Sequence, residues 1–280
     1  MNHLELFSGT HSFGKVSSKF GYEVYSLDIE LGDTNDDYKS QHHFKEDILT
    51  WNYKQFPVGF FKIITASPVC TWWSHLRRTW IGRKIKEHNG LICTQELLDE
   101  DIEKFGVPMV DKIFEIIDYF DPEYYIIENP STGKMKEYIN DLIPYYDVDY
   151  CRYSDWGYKK TTRFWTNIED LEFIPCDNKC DNMVEKQHKI VLANGYEMID
   201  GKKVLCNTKE KRQLLHKDRM GTSKTINDNG KIVRVNSAEL RTKYKDYENI
   251  NKNYSNGTTK LDRYRIPKKL IEKFFKKNIC

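Results

Sequence analysis

The chain has 280 residues, 39% hydrophobic and 14% aromatic, enough to bury a substantial core without staples. Its polar, glycine-punctuated opening does not read as a signal peptide, and no run of about 18 apolar residues could span a bilayer, so a soluble intracellular protein is expected. The net charge of +2 conceals an asymmetry: residues 1–175 hold 19 Lys+Arg against 29 Asp+Glu, a net −10, whereas residues 176–280 hold 25 against 13, a net +12.

Leu4, Leu6 and Phe7 end an apolar run at Ser8-Gly9, and Ser12 to Phe20 then reads as a helix, so the chain opens strand, glycine turn, helix. Glycine at such a turn lets a ligand approach backbone amides, although turns of this kind occur throughout α/β chains. Val24 to Leu27 is a second strand closed by Asp28, where doubly wound folds place an acid for ribose hydroxyls. Together the two features suggest an adenosine-bearing cofactor. Asp47, in Lys45-Glu46-Asp47-Ile48, suits an adenine amino group or an ordinary surface turn.

Phe60 to Ala66 reads as a strand running into Ser67-Pro68-Val69-Cys70, a proline-stiffened turn with a cysteine at its tip. A lone cysteine is more often a small buried hydrophobe, but strand ends in this fold class face the ligand crevice. A long helical pattern covers Val107 to Phe120, and the strand Tyr124 to Ile127 delivers Glu128 in Glu128-Asn129-Pro130. A carboxylate there needs a partner or a task, unless it caps the next helix. Val148 to Tyr153 is a further strand. The alternation predicts an α/β fold, a doubly wound, mostly parallel sheet with ligands at the carboxyl ends of its strands.

Beyond about Pro175, Asn, Lys, Gly and Asp crowd residues 177–259, and apolar runs shrink to Ile190–Ala193 and Ile232–Val235. A small, loop-rich basic region is expected, its charge serving either a phosphate-facing surface or a solvated face. Seven cysteines, an odd count at irregular spacing, argue against a disulfide framework. Cys176 and Cys180, with His188 and Cys206 downstream, number the four ligands of a tetrahedral metal. The second pair lacks the usual spacing, so thiols in a loop-rich region are the default and no metal is expected. Arg265-Ile266-Pro267 followed by Leu270, Ile271, Phe274 and Phe275 has helical spacing. Three parts follow: a cofactor-binding and catalytic domain over 1–175, a small basic nucleic-acid-recognition region over 176–262, and a helix over 263–280 packing back on the first.

Taken in order, Phe7-Ser8-Gly9, the acid Asp28, Pro68-Val69-Cys70, Glu128-Asn129-Pro130 and the cation-bearing segment Lys159 to Arg163 resemble the carbon-5 cytosine-specific DNA methyltransferases, compact phage and viral type, over roughly residues 3–167. The resemblance implies S-adenosyl-L-methionine as cofactor and S-adenosyl-L-homocysteine as product. It places Phe7, Ser8, Gly9 and Thr10 in the first cofactor loop, Asp28 and Ile29 at the ribose, Asp47 and Ile48 on the adenine side, and Pro68 beside them. It implies Cys70 as nucleophile, Glu128 as the acid facing the cytosine ring, and Arg163 as the base-contacting arginine with Lys160 in support. Its partner would be double-stranded DNA, with no membrane and no obligatory protein partner, in the cytoplasm or wherever that DNA lies.

A flipped cytosine needs a surface that holds the duplex open. Trp72-Trp73-Ser74-His75-Leu76-Arg77-Arg78-Thr79-Trp80 interleaves rings and cations, and Trp72, Ser74, Arg77 and Arg78 are expected to face DNA. The chain also departs from the family. Val69 and Thr71 flank the cysteine, Glu-Asn is followed by Pro, no Gln-x-Arg-x-Arg signature is present, and Arg265-Ile266-Pro267-Lys268-Lys269-Leu270 replaces the terminal Gly-Asn element. Two alternatives stay open: the same chemistry on RNA or a nucleotide, and an inactive DNA-binding relic.

Overall fold

The computed structural model describes residues 1–30, 38, 40–139, 143–184, 187–188 and 264–278, with four short strands between 196 and 234. A seven-stranded sheet holds β1 (Asn2–Leu6), β2 (Glu23–Leu27), β3 (His42–Phe44), β4 (Phe61–Ala66), β5 (Tyr124–Pro130), β6 (Tyr145–Asp149) and β7 (Thr161–Thr166) in the order β3-β2-β1-β4-β5-β7-β6. The first five strands pair in parallel; β7 runs antiparallel between β5 and β6. The chain order reverses between β1 and β4, and a doubly wound sheet opens a ligand crevice at such a switch point. The fold is Rossmann-like α/β, and the sheet is mostly parallel.

The helices explain why both sheet faces are apolar. Thr94 caps α2 (Gln95–Asp101) by accepting from the Leu97 amide at 3.2 Å, and a five-residue π-turn leads into α3 (Val107–Phe120). Val110, Ile113, Ile116, Ile117 and Phe120 recur at helical spacing and are buried with Leu4, Leu6, Ile64, Ile127 and Trp165 of the sheet. On the opposite face lies α5 (Lys268–Asn278), whose Leu270, Ile271, Phe274 and Phe275 are fully buried, each worth roughly 2 kcal/mol of apolar burial. Phe274 meets Phe164 at 5.2 Å between ring centres and Phe275 stacks on Phe20 at 5.7 Å.

Two expected elements are shorter than their sequence pattern. The helix read from Ser12 is α1 (Gly14–Ser17) followed by a 3-10 turn ending at Gly21. Left-handed His11 (φ 52°) delays its start, and Glu5 fixes it by accepting from the Phe13 amide at 2.9 Å. Gly14 leaves room there for two side-chain ends: a Cβ would lie 2.6 Å from Glu5 Oε2 and 3.0 Å from the Tyr38 hydroxyl, so one of them would have to move. The strand expected over Val148–Tyr153 ends at Asp149, because Tyr150–Arg152 closes a 3-10 turn. The short helix between β5 and β6 is α4 (Met135–Tyr138).

His3 sits inside this packing, its Nδ1 2.7 Å from Ser17 Oγ and its Nε2 2.9 Å from Thr65 Oγ1. Burial pushes its imidazole down to about 4, with Glu5 opposing. The unfolded chain protonates His3 near its ordinary value of 6.5 while the fold keeps it neutral. Its contribution is therefore full above that ordinary value, declines as pH falls through the window, and is gone below about pH 4, a change of roughly 3 kcal/mol. Denaturant unfolding at about pH 7 and about pH 4.5 should show lower stability at the acid end, and a smaller drop in His3→Gln.

The chain divides into two compact units, the second made of Asp155–Lys159 with Cys176–Arg263. The described residues of this second unit include three antiparallel strand pairs: β8 (Met183–Val184) with β9 (Gln187–His188), β10 (Tyr196–Ile199) with β11 (Lys202–Leu205), and β12 (Lys224–Ile226) with β13 (Ile232–Arg234). The apolar run Ile190–Ala193 lies outside the described residues. Among the described residues no helix is long and apolar enough to cross a membrane.

Candidate active site

The carboxyl end of β1 is a tight turn with Phe7 (φ 55°), Gly9 (φ 42°) and His11 (φ 52°) all left-handed. This folds the Gly9 amide onto Asp28 Oδ2 at 2.8 Å, while the Glu30 amide holds Oδ1 at 2.8 Å. Burial pushes the Asp28 carboxyl up, and the two amide hydrogen bonds oppose it. Ser8 Oγ is buried here without a hydrogen-bond partner. Thr10 Oγ1 lies 2.8 Å from Ser12 Oγ, which accepts from the Ile266 amide at 3.0 Å, tying the segment before α5 to this turn.

Three successive strand ends leave an apolar side chain in the open: Ile29 after β2, Leu49 after β3 and Val69 after β4, at 62%, 42% and 45% exposure. Ile48, expected in the cofactor site, is instead buried in the core with Trp51. The cause is the Asp47 turn. Asp47 Oδ1 accepts from the Leu49 amide at 3.0 Å, and its carbonyl accepts from Thr50 and Trp51, which points Ile48 inward and Leu49 outward. Asp47 is thus an Asx-turn residue, and Leu49 is the exposed neighbour that sequence reading missed.

Beyond β4 the Ser67 amide still reaches the Leu6 carbonyl at 3.3 Å, so the chain stays in register until the proline. Buried Asn129 then donates through Nδ2 to the Pro68 carbonyl at 2.9 Å and fixes the turn that carries Cys70. Glu128, 6% exposed, accepts on Oε1 from the Tyr150 hydroxyl at 3.1 Å, with Lys160 Nζ 3.7 Å from the same oxygen. Lys160 also lies 4.9 Å from the centre of the Tyr150 ring. Burial pushes the half-buried Cys70 thiol up and the Glu128 charge adds to this, while Lys160 pulls it down. A thiol, a carboxyl and an ammonium group therefore share one electrostatic field at the ends of β4 and β5. Such a set can add sulfur to an electron-poor ring and hold the charge that develops. Tyr150, the buried hydroxyl that completes it, was not singled out in the sequence as a site residue.

The structure corrects several expected roles. Arg163 does not join Glu128: in the β5–β7 ladder Glu128 faces Phe164 and Arg163 faces Asn129, so the two side chains leave opposite faces of the sheet. Arg163 instead grips Asp147 through Nε and Nη2, both at 2.8 Å, and lies 3.6 Å from the Tyr145 ring centre. Lys160, expected to support Arg163 at the base, is the cation of the Glu128 cluster. Arg77, expected to face DNA, is 5% exposed, paired with Asp101 and placed over Trp72 and Trp80 at 5.1 and 5.4 Å. Its Nη2 pairs with the buried Asp101 carboxylate, the two indole faces flank the guanidinium, and Nε and Nη1 are buried without a hydrogen-bond partner.

The loop after Cys70 is consequently packed against its surroundings. Trp73 is buried beside Gly106, where a Cβ would meet its ring at 2.9 Å, and Trp72 stacks on Phe105 at 4.6 Å. Ser74, expected on DNA, caps the following 3-10 turn by accepting from the Leu76 amide at 3.3 Å. Of the four loop residues expected to face DNA, Arg78 is the one in the exposed class, and Leu76 on the same loop is 76% exposed.

No family model matches the chain. A curated relative, a probable DNA (cytosine-5)-methyltransferase of Frog virus 3 (isolate Goorha), is 42% identical over 187 residues, covering 65% of this chain and 79% of that protein. Among solved structures, the chain is similar to the S. pombe Dnmt2 methyltransferase at 14% identity and a TM-score of 0.37, covering 71% of this chain and 63% of that one. It is similar also to a mutant of Spodoptera frugiperda DNMT2 at 13% identity and a TM-score of 0.44, covering 98% of each chain. The viral relative decides the matter: this chain belongs to the DNA (cytosine-5)-methyltransferase family.

Proposed function

We propose that the protein transfers a methyl group from S-adenosyl-L-methionine to carbon 5 of cytosine in double-stranded DNA, with Cys70 as nucleophile. The observation that carries this reading is the grouping of Cys70, Glu128, Tyr150 and Lys160 at the ends of β4 and β5, in a chain whose viral relative bears that activity in its name.

The residues at the switch point suit the cofactor. Asp28, its carboxylate fixed by two amides, presents remaining lone pairs to ribose hydroxyls; Ser8 Oγ is a buried hydroxyl in need of a partner; Ile29, Leu49 and Val69 offer apolar surface to an adenine ring. S-Adenosyl-L-methionine, when bound, supplies a methyl group made electrophilic by its sulfonium. Asp28→Ala should weaken S-adenosyl-L-homocysteine binding roughly 10- to 100-fold, the cost of losing charge-assisted hydrogen bonds. Unchanged affinity by calorimetry would remove Asp28 from the site.

Carbon 5 of cytosine is a poor nucleophile, so the thiolate of Cys70 first adds to carbon 6 and breaks the 5,6 double bond. Electron density moves towards ring N3, where the Glu128 carboxyl, oriented by Tyr150, donates a hydrogen bond or proton, and Lys160 stabilises the surplus charge. Carbon 5 is then rich enough to accept the methyl group. Loss of its proton to a base or an ordered water re-forms the double bond as the bond to Cys70 breaks and the thiolate departs, and a proton taken up at N3 returns to Glu128. The target base must leave the stack, at a cost of a few kcal/mol, and exposed Arg78 and Leu76 lie on the loop that follows Cys70.

Incubating the chain with methyl-tritiated cofactor and, separately, duplex DNA, RNA and free cytidine nucleotides tests the reading. Label should enter cytosine in DNA. Label confined to RNA or nucleotide would replace the substrate, and none anywhere, with cofactor binding intact, would leave the inactive relic.

A further inference from the structure

In the second unit the sequence brings two thiols and an imidazole to one point. Asp177 Oδ1 accepts from the Lys179 amide at 3.1 Å and Asn178 is left-handed (φ 62°), so the chain doubles back between Cys176 and Cys180. The Cys180 carbonyl accepts from the Met183 amide at 2.9 Å, and the β8–β9 hairpin pairs Met183 with His188, returning the ring to the cysteines. All three side chains are buried, at 7%, 6% and 6% exposure. Their ligand atoms form a nearly equilateral triangle: Sγ to Sγ 3.7 Å, and 3.6 Å from each sulfur to His188 Nε2.

Those edges match a metal geometry. With Zn–S about 2.3 Å and Zn–N about 2.0–2.1 Å, a tetrahedral zinc requires edges of about 3.8 Å between sulfurs and about 3.5 Å between sulfur and nitrogen. We propose that Cys176, Cys180 and His188 form one face of a structural zinc site. A closed site needs a fourth ligand, and the chain holds further thiols at Cys151 and at Cys206, the latter outside the described residues. The spacing of His188 and Cys206 spoke against a metal, but a hairpin supplies what spacing along the chain could not show. Binding deprotonates the two thiols and contributes folding energy to a loop-rich unit of short hairpins. Because this unit holds most of the +12 segment, its metal would also condition contact with a polyanion.

The test uses the full chain, purified in reducing buffer without chelator. Elemental mass spectrometry should find stoichiometric zinc, lost in Cys176→Ser, Cys180→Ser and His188→Asn and retained in the control Cys93→Ala. Since the first three variants could misfold, the unaltered chain is also loaded with cobalt(II) alone. Thiolate-to-cobalt charge transfer with the intense visible bands of a tetrahedral ion is expected. Absence of stoichiometric zinc together with a weak octahedral cobalt spectrum would overturn the proposal, as would a disulfide between Cys176 and Cys180 in the freshly purified chain.

Discussion

Cys70→Ala is expected to reduce methyl transfer by a factor on the order of 10⁴ or more, with S-adenosyl-L-homocysteine affinity unchanged. The size follows from the chemistry. Without addition at carbon 6 the ring never becomes a carbon nucleophile, and no neighbouring group can substitute for the sulfur. The surroundings of Cys70 add a signature that a merely structural thiol would lack. Burial raises its pKa, the Glu128 charge raises it further, and Lys160 opposes both, so the thiolate fraction grows only at alkaline pH. Alkylation of Cys70 by iodoacetamide should therefore titrate above the ordinary thiol range. Lys160→Met should move the midpoint higher and Glu128→Gln lower, and equal midpoints in all three proteins would dissolve the proposed cluster.

Glu128→Gln is the second large effect. Glutamine can keep the hydrogen bond from Tyr150 and fill the same space, so the change removes the carboxyl's proton and charge while sparing the packing. Turnover should fall roughly 10²- to 10⁴-fold, the usual contribution of a positioned general acid, with KM for DNA little altered. Arg163→Ala supplies the contrast. Its guanidinium is committed to Asp147 and Tyr145 on the opposite sheet face, so its loss should lower thermal stability more than chemistry at the cytosine. A collapse of turnover in folded Arg163→Ala with Glu128→Gln near full activity would return the base-contacting role to Arg163.

These contrasts mark where the sequence was legible. Apolar runs identified β2, β4 and β5 to within a few residues, and the 3.6-residue spacing of Val110, Ile113, Ile117 and Phe120 located α3, because burial imposes a pattern on consecutive residues. Asp28 could be singled out since it directly follows such a run, and Cys70 since it sits at the tip of the proline turn that ends one. What stayed hidden depended on direction. Ile48 and Leu49 are equally apolar neighbours, and only the Asp47 turn decides which faces outward. Lys160 and Arg163 are both cations near one strand, but the β5–β7 register sends Arg163 to the far face. Arg77 looked like a phosphate ligand until Asp101, 24 residues later, met it in the interior. His188 joined Cys176 and Cys180 only through a hairpin pairing that no linear spacing encodes.

The covalent role of Cys70 can be captured in a single trap. Duplex DNA carrying 5-fluorocytosine is incubated with the protein and S-adenosyl-L-methionine, the mixture is denatured, and the adducted peptide is sequenced by mass spectrometry. Because fluorine cannot depart as a cation, the bond between sulfur and carbon 6 should persist. A denaturation-resistant, methylated adduct mapped to Cys70 and missing from Cys70→Ala is the predicted result. An adduct on another residue, or none on any DNA while the cofactor demonstrably binds, would contradict nucleophilic catalysis by Cys70.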